Sequence, residues 1–259
     1  MGRRLFCLLA LLCLLVSPVR AEESLSLPAC QTVQEVEALL LRPDEELRPT
    51  AVERGLIRYI SQDTVRDPDF CPDYWYGGEP GSELDLTVEV SKLKGSFNKP
   101  YAYYARNMCT RAVYSMALSY LGIDLTPGAM SAMLSKRDIA MPYDEVTELL
   151  PQIESVAFSM PVFDSMFEAY QSDSSYSPVY LYIRRKNGST HCLLVVAQRE
   201  DGHYIVVDPK YHDLEGKSTP VYTIALNTTH QSIANSDFRA ELHGSVILRC
   251  CQWRLVESE

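Results

Sequence analysis

The chain has 259 residues, 46% of them hydrophobic and 22% charged, with a formal net charge of −10. That length and apolar content suffice for one globular domain with a sizeable core, and they exclude a disordered chain. The acidic balance, with no clustered lysine or arginine, excludes the phosphate-neutralising surface that a nucleic-acid partner requires.

Residues 1–21 read as a signal peptide: Arg3 and Arg4 give a charged start, Leu5 to Val16 an apolar centre, and Val19-Arg20-Ala21 a small-residue cleavage pattern. The apolar run is shorter than the roughly 20 residues of a spanning helix, and nothing later approaches that length, so no membrane span is expected. The expected product is secreted or resident in an endomembrane lumen. Loss of Arg3, Arg4 and Arg20 takes the net charge from −10 to −13.

Residues 22–99 form an N-terminal extension of helices and loop, either an accessory region or a propeptide. Thr32-Val-Gln-Glu35 has capping-box form and leads into Val36, Leu39 and Leu40; Thr50-Ala-Val-Glu53 repeats the device before Leu56 and Ile60. Turn formers and aromatics interleave from Asp67 to Gly78, which reads as loop, and Leu84 to Val90 alternates as a short strand should.

The stretch Asn107 to Gly122 reads as a helix. Ala112, Val113, Met116, Ala117, Tyr120 and Leu121 recur at helical spacing and Gly122 supplies the stop, which sets Cys109 in the first turn. Unpaired N–H groups and the helix dipole favour a thiolate there. Further helices are expected from Thr126-Pro127 to Leu134, near Asp144, and from Val162 to Tyr170. The period then changes to strands: Val179 to Ile183, a turn at Asn187-Gly188, Cys192 to Ala197, a turn at Glu200 to Gly202, and Tyr204 to Val207. His191 opens the middle strand and Asp208 closes the last, within a couple of residues of being opposite across the hairpin. A helix-start cysteine, a histidine to take its proton and a carboxylate to fix the imidazole are the parts of a nucleophilic triad.

Six cysteines follow the signal: Cys30, Cys71, Cys109, Cys192, Cys250 and Cys251. Three disulfides would consume them all, Cys109 included; a nucleophile at Cys109 leaves at least one further thiol. Its place at a helix start favours the nucleophile, and Cys30 with Cys71 is the pairing that would tie down the extension. Asn187-Gly-Ser and Asn227-Thr-Thr are sequons for glycosylation. His203, His212, His230 and His243 lack paired spacing and there is no C-x-x-C, so neither a metal site nor a cofactor is expected.

Together, Asn107-x-Cys109-x-x-Ala112-x-x-Ser115-Met-Ala-Leu-x-Tyr120-Leu-Gly-Ile123, His191-Cys-Leu-Leu-Val-Val and Tyr204-Ile-Val-Val-Asp-Pro209 resemble the nucleophile helix and histidine-aspartate hairpin of C39-like, papain-fold cysteine peptidases. The resemblance runs from about Pro100 to Pro209. It implies an α+β papain-like fold for residues 100–259, helices packed on an antiparallel sheet, with Cys109 as nucleophile, His191 as base and Asp208 orienting it. The implied activity is hydrolysis of an amide bond in a peptide or protein substrate. Two departures accompany it. Cys109-Thr110-Arg111 stands where the family has Cys-Gly-Pro, which makes Thr110 and Arg111 the expected cleft-lining residues. The family glutamine after Pro-Tyr is missing at Pro100-Tyr101-Ala102, which leaves Tyr104, Asn107 and the backbone N–H of Cys109 as oxyanion donors. An inactive module that binds a peptide or protein in the same cleft is the alternative.

Overall fold

The computed structural model describes residues 25–41, 54–60, 109–125, 145–158, 163–210 and 219–256. The expected signal peptide, the helix from Thr126, the strand at Leu84 to Val90 and Cys71 lie outside them. Among the described residues no helix is long and apolar enough to cross a membrane.

The first capping box forms. Thr32 Oγ1 accepts from the Glu35 N–H at 3.2 Å, and Glu35 Oε2 accepts from the Thr32 N–H at 2.9 Å, opening helix α1 (Val33–Ala38). The second expected helix does not continue through residues 54–60. Gly55 has φ +90, outside the helical region, and the chain then extends into strand β2 (Ile57–Arg58), parallel to β1 (Leu40–Leu41). β-Branched Ile57 and Ile60 suit the extended form and are buried, so the apolar spacing here served a strand-like segment. Leu27, Val36, Ile57, Tyr59 and Ile60 belong to the same core as the rest of the chain.

Helix α2 (Cys109–Tyr120) is buried on every side from Thr110 through Tyr120, more deeply than an amphipathic surface helix. It stops where its sequence says it should. Gly122 takes φ +79, its N–H reaches Ser119 O at 2.9 Å and the Ile123 N–H reaches Leu118 O at 3.0 Å, closing a Schellman cap. The Gly55 N–H donates to Tyr120 O at 2.8 Å, which ties the N-terminal segment to the same helix end. Helices α3 (Glu145–Leu149) and α4 (Phe163–Ser172) follow, the latter burying Phe163, Met166, Phe167 and Tyr170 as its spacing predicts.

The sheet departs from expectation. The meander of β4 (Val179–Arg184), β5 (Thr190–Gln198) and β6 (Tyr204–Val207) is present, but it continues through β7 (Val221–Asn227), β8 (Ser232–Ser236) and the ten-residue β9 (Val246–Leu255). Strand β9 pairs with β4 along one edge and touches β8 at Ser232 and Val246. The six strands β4 to β9 therefore close into an antiparallel barrel, and β3 (Ile153–Phe158) adds a seventh strand along the outer part of β9. The papain-like α+β expectation, helices packed on an antiparallel sheet, is corrected by this closure. The physical reason lies in the C-terminal third: once β9 hydrogen-bonds to both β4 and β8, there is no open edge left between them. Four α-helices are described, and α2 is the longest, lying against β4 and β5.

Candidate functional site

The site begins with strand register. Leu194 pairs with Val207, so continuing the ladder by one residue sets Asp208 opposite Leu193. His191 is two residues further along the same strand and hence on the same face. This diagonal brings His191 Nε2 to 2.7 Å from Asp208 Oδ1, with the imidazole 2% exposed and the carboxylate buried.

Asp208 is held on all sides. Oδ1 also accepts from the Lys210 backbone N–H at 2.7 Å, while Oδ2 accepts from the Tyr222 hydroxyl and from Arg239 Nη1, each at 2.6 Å. Four donors on two oxygens fill the acceptor capacity of a carboxylate. Burial pushes its pKa up, but the His191 imidazole, the Arg239 guanidinium and the hydrogen bonds from His191 and Tyr222 outweigh burial and hold it well below the usual carboxylate range. An ionised carboxylate accepts only, so His191 Nε2 carries the proton. In the neutral ring Nδ1 is then the basic nitrogen.

Cys109 is the first residue of α2 and half-buried. Its Sγ lies 3.7 Å from Sγ of Cys192, the residue after His191. The hydrogen bond shared with Cys192 is the largest influence on its acidity. Burial opposes it, and the hydrogen bond and charge of His191 add to it, so the Cys109 thiol is held well below its ordinary value although Asp208 pushes the other way. Cys192 moves in the opposite direction: burial and the neighbouring Cys109 raise it, against hydrogen bonds from the hydroxyls of Thr110 and Tyr180, each 3.2 Å from its sulfur. One sulfur is thus the more acidic and the more exposed.

Of the residues singled out in the sequence, Cys109, His191 and Asp208 come together. Thr110 and Arg111, expected to line a cleft, are both buried. Tyr104 and Asn107 lie outside the described residues, as does Cys71, and no disulfide joins any two of the described cysteines. Sequence reasoning missed Tyr222, Arg239 and the contact of Cys192 with Cys109. It also missed Tyr59, whose hydroxyl donates to Asp208 O at 3.2 Å from the N-terminal segment. The one available hint was adjacency of Cys192 to His191; Arg239, thirty-one residues from Asp208 in a polar loop, carries no local pattern.

No protein-family model matches the chain. No curated protein matches it either.

Proposed function

We propose that the protein is a thiol hydrolase that cleaves an amide bond in a peptide or protein, with Cys109 as nucleophile, His191 as general base and then acid, and Asp208 as the group that orients the imidazole. The observation that carries the reading is the saturated Asp208 carboxylate, which fixes a proton on His191 Nε2 and leaves Nδ1 as the nitrogen free to take the Cys109 proton. The local resemblance of the cysteine helix and the histidine-aspartate hairpin to C39-like peptidases supports the same roles. It does so through these segments and not through the fold.

In this scheme His191 Nδ1 takes the Cys109 proton and the thiolate attacks the carbonyl carbon. The tetrahedral oxyanion gathers charge near the start of α2, where the first-turn N–H groups have no intrahelical acceptor. The imidazolium returns its proton to the leaving amine, an acyl-enzyme remains, and water activated by the same imidazole releases the acid. Buried Asp208, already neutralised in part by Arg239, holds the ring in place throughout.

The test is labelling of the purified protein with iodoacetamide from pH 5 to 8, comparing wild type with Cys109→Ala and His191→Ala and mapping the modified residue by mass spectrometry, followed by a screen of peptide amides. Rapid modification of Cys109 that collapses in His191→Ala supports the reading. A Cys109 that reacts no faster than an ordinary thiol in both backgrounds removes it and leaves the alternative, a module that binds a peptide or protein partner without turnover.

A further inference from the structure

The hydrolytic scheme uses Cys109 and gives Cys192 no part, yet the two sulfurs are 3.7 Å apart. We propose that Cys109 and Cys192 form a peroxide-sensitive dithiol, in which oxidation of Cys109 is resolved by Cys192 into a reversible disulfide that withdraws the nucleophile. The regulatory consequence rests on the function proposed above; formation of the bond does not.

The two positions divide the work. Cys109, half-buried at the start of a helix, is the sulfur that a small oxidant can reach. Cys192 is fully buried near the start of β5, held between the hydroxyls of Thr110 and Tyr180. Both hydroxyls are placed to donate to the Cys192 sulfur as it loses its proton, which offsets the penalty of charging a buried thiol. To bond, the sulfurs must close by about 1.7 Å, since an S–S bond is about 2.0 Å. Rotation of the Cys109 side chain at the helix end supplies that movement more readily than the mid-sheet Cys192.

The chemistry balances with a hydroperoxide as oxidant. The Cys109 thiolate attacks one oxygen of hydrogen peroxide; an S–O bond forms, the O–O bond breaks, and the departing hydroxide leaves as water after taking up a proton. The Cys192 sulfur then attacks the Cys109 sulfenic sulfur, the S–S bond forms, the S–O bond breaks and the hydroxyl leaves as water with the Cys192 proton. Two thiols lose two electrons and two protons, and one peroxide becomes two waters. A dithiol reductant reverses the bond by exchange.

The experiment treats the reduced, full protein with stoichiometric hydrogen peroxide, with and without dimedone, and reads intact mass and linked peptides. The expected product is lighter by two hydrogens, carries a Cys109–Cys192 crosslink and returns to its starting mass with dithiothreitol. Cys192→Ser, with Cys192→Ala as a second variant should the first unfold, must instead give dimedone-labelled Cys109 and, without dimedone and with peroxide raised to several equivalents, sulfinic acid. Overoxidation of Cys109 in wild type as fast as in Cys192→Ser, or a crosslink to any other cysteine, overturns the proposal. Iodoacetamide labelling in parallel separates the two ideas. A crosslink with slow labelling keeps the dithiol and sinks the hydrolase; fast labelling with no crosslink does the reverse.

Discussion

Arg239 Nη1 donates to Asp208 Oδ2 at 2.6 Å from the connection between β8 and β9, on the carboxylate oxygen that His191 does not use. The guanidinium is itself buried and is shared with Glu241, which accepts from its Nε at 2.8 Å and also from Nη2. Asp208 is therefore no isolated negative charge behind the imidazole. Its negative charge is largely balanced before any proton moves, and its part is to fix the ring's direction and tautomer.

Breaking that pair from one side leaves a buried charge without its counterpart. Arg239→Met is expected to lower unfolding free energy by about 3–5 kcal/mol, and Asp208→Asn by a similar amount. The double variant Asp208→Asn/Arg239→Met loses less than the sum, because the second change removes the charge that the first one stranded. Urea unfolding of the four proteins checks this. Additive losses would mean that the two side chains stabilise the barrel independently.

The same carboxylate sets an acid limit. The folded pKa of Asp208 is depressed below its unfolded value of about 3.9, so its contribution is fully present above that pH and is lost as pH falls toward the folded value. Tyr222→Phe removes a donor that favours the ionised form and costs about 1.5–3 kcal/mol near neutrality. It raises the folded pKa, so acid unfolding begins at a higher pH than in wild type. Circular dichroism followed from pH 6 down to pH 2 reads the shift; an unchanged acid midpoint would show that the Tyr222 hydroxyl does not matter to the charge on Asp208.

For Cys109 the sign is also set. Its thiol is held below the ordinary range by Cys192 and His191, so alkylation should persist well below the usual thiol value of about 8.5. His191→Asn is expected to move the midpoint of the alkylation rate upward in pH, and Cys192→Ala to move it upward as well, since each substitution removes one of the two hydrogen bonds that favour the thiolate. Stopped-flow labelling of Cys109 across pH 5 to 9 measures both. Superimposable profiles for wild type and His191→Asn would detach the imidazole from the thiol.

How much of this was legible in the sequence varies by element. Helix α2 was readable because its apolar spacing and Gly122 point to one answer, and the hairpin of β5 and β6 because its alternation and turn residues agree. His191 and Asp208 could be paired from hairpin register alone. The barrel could not be read from this, since closure depends on β9, which follows β8, also reaching back to β4, a pairing between segments far apart in sequence that leaves no periodicity behind. Arg239 and Tyr222 are hidden for the same reason: nothing near them in the chain announces that Asp208 is their partner. At residues 54–60 the helical spacing of Leu56 and Ile60 gave way to Gly55 and to hydrogen bonds with Tyr120 and Ser119 of α2, a tertiary pull on a short segment.

The end of α2 offers a test free of the site chemistry. Gly122 has φ +79, and a Cβ there would meet Arg54 Cβ at 3.6 Å, an ordinary contact. Backbone conformation, not crowding, is then what Gly122→Ala disturbs, at about 1–2 kcal/mol. Thermal unfolding reads it, with the Cys109 alkylation rate expected to stay at its wild-type value because the change lies at the opposite end of a rigid helix.

Strand β9 has a consequence for how the molecule comes into being. Arg239 reaches Asp208 from the loop that leads into β9, and β9 is the strand that joins β4 to β8. Until the β8–β9 connection and β9 are in place, Asp208 lacks its guanidinium partner and the barrel stays open between β4 and β8. The proposed nucleophile's supporting charge is thus carried by the segment that leads into the barrel's closing strand, whose pairing with β4 is long-range and of the kind that forms slowly in chains dominated by distant pairings. A newly made chain would carry its cysteine helix well before it could arm it.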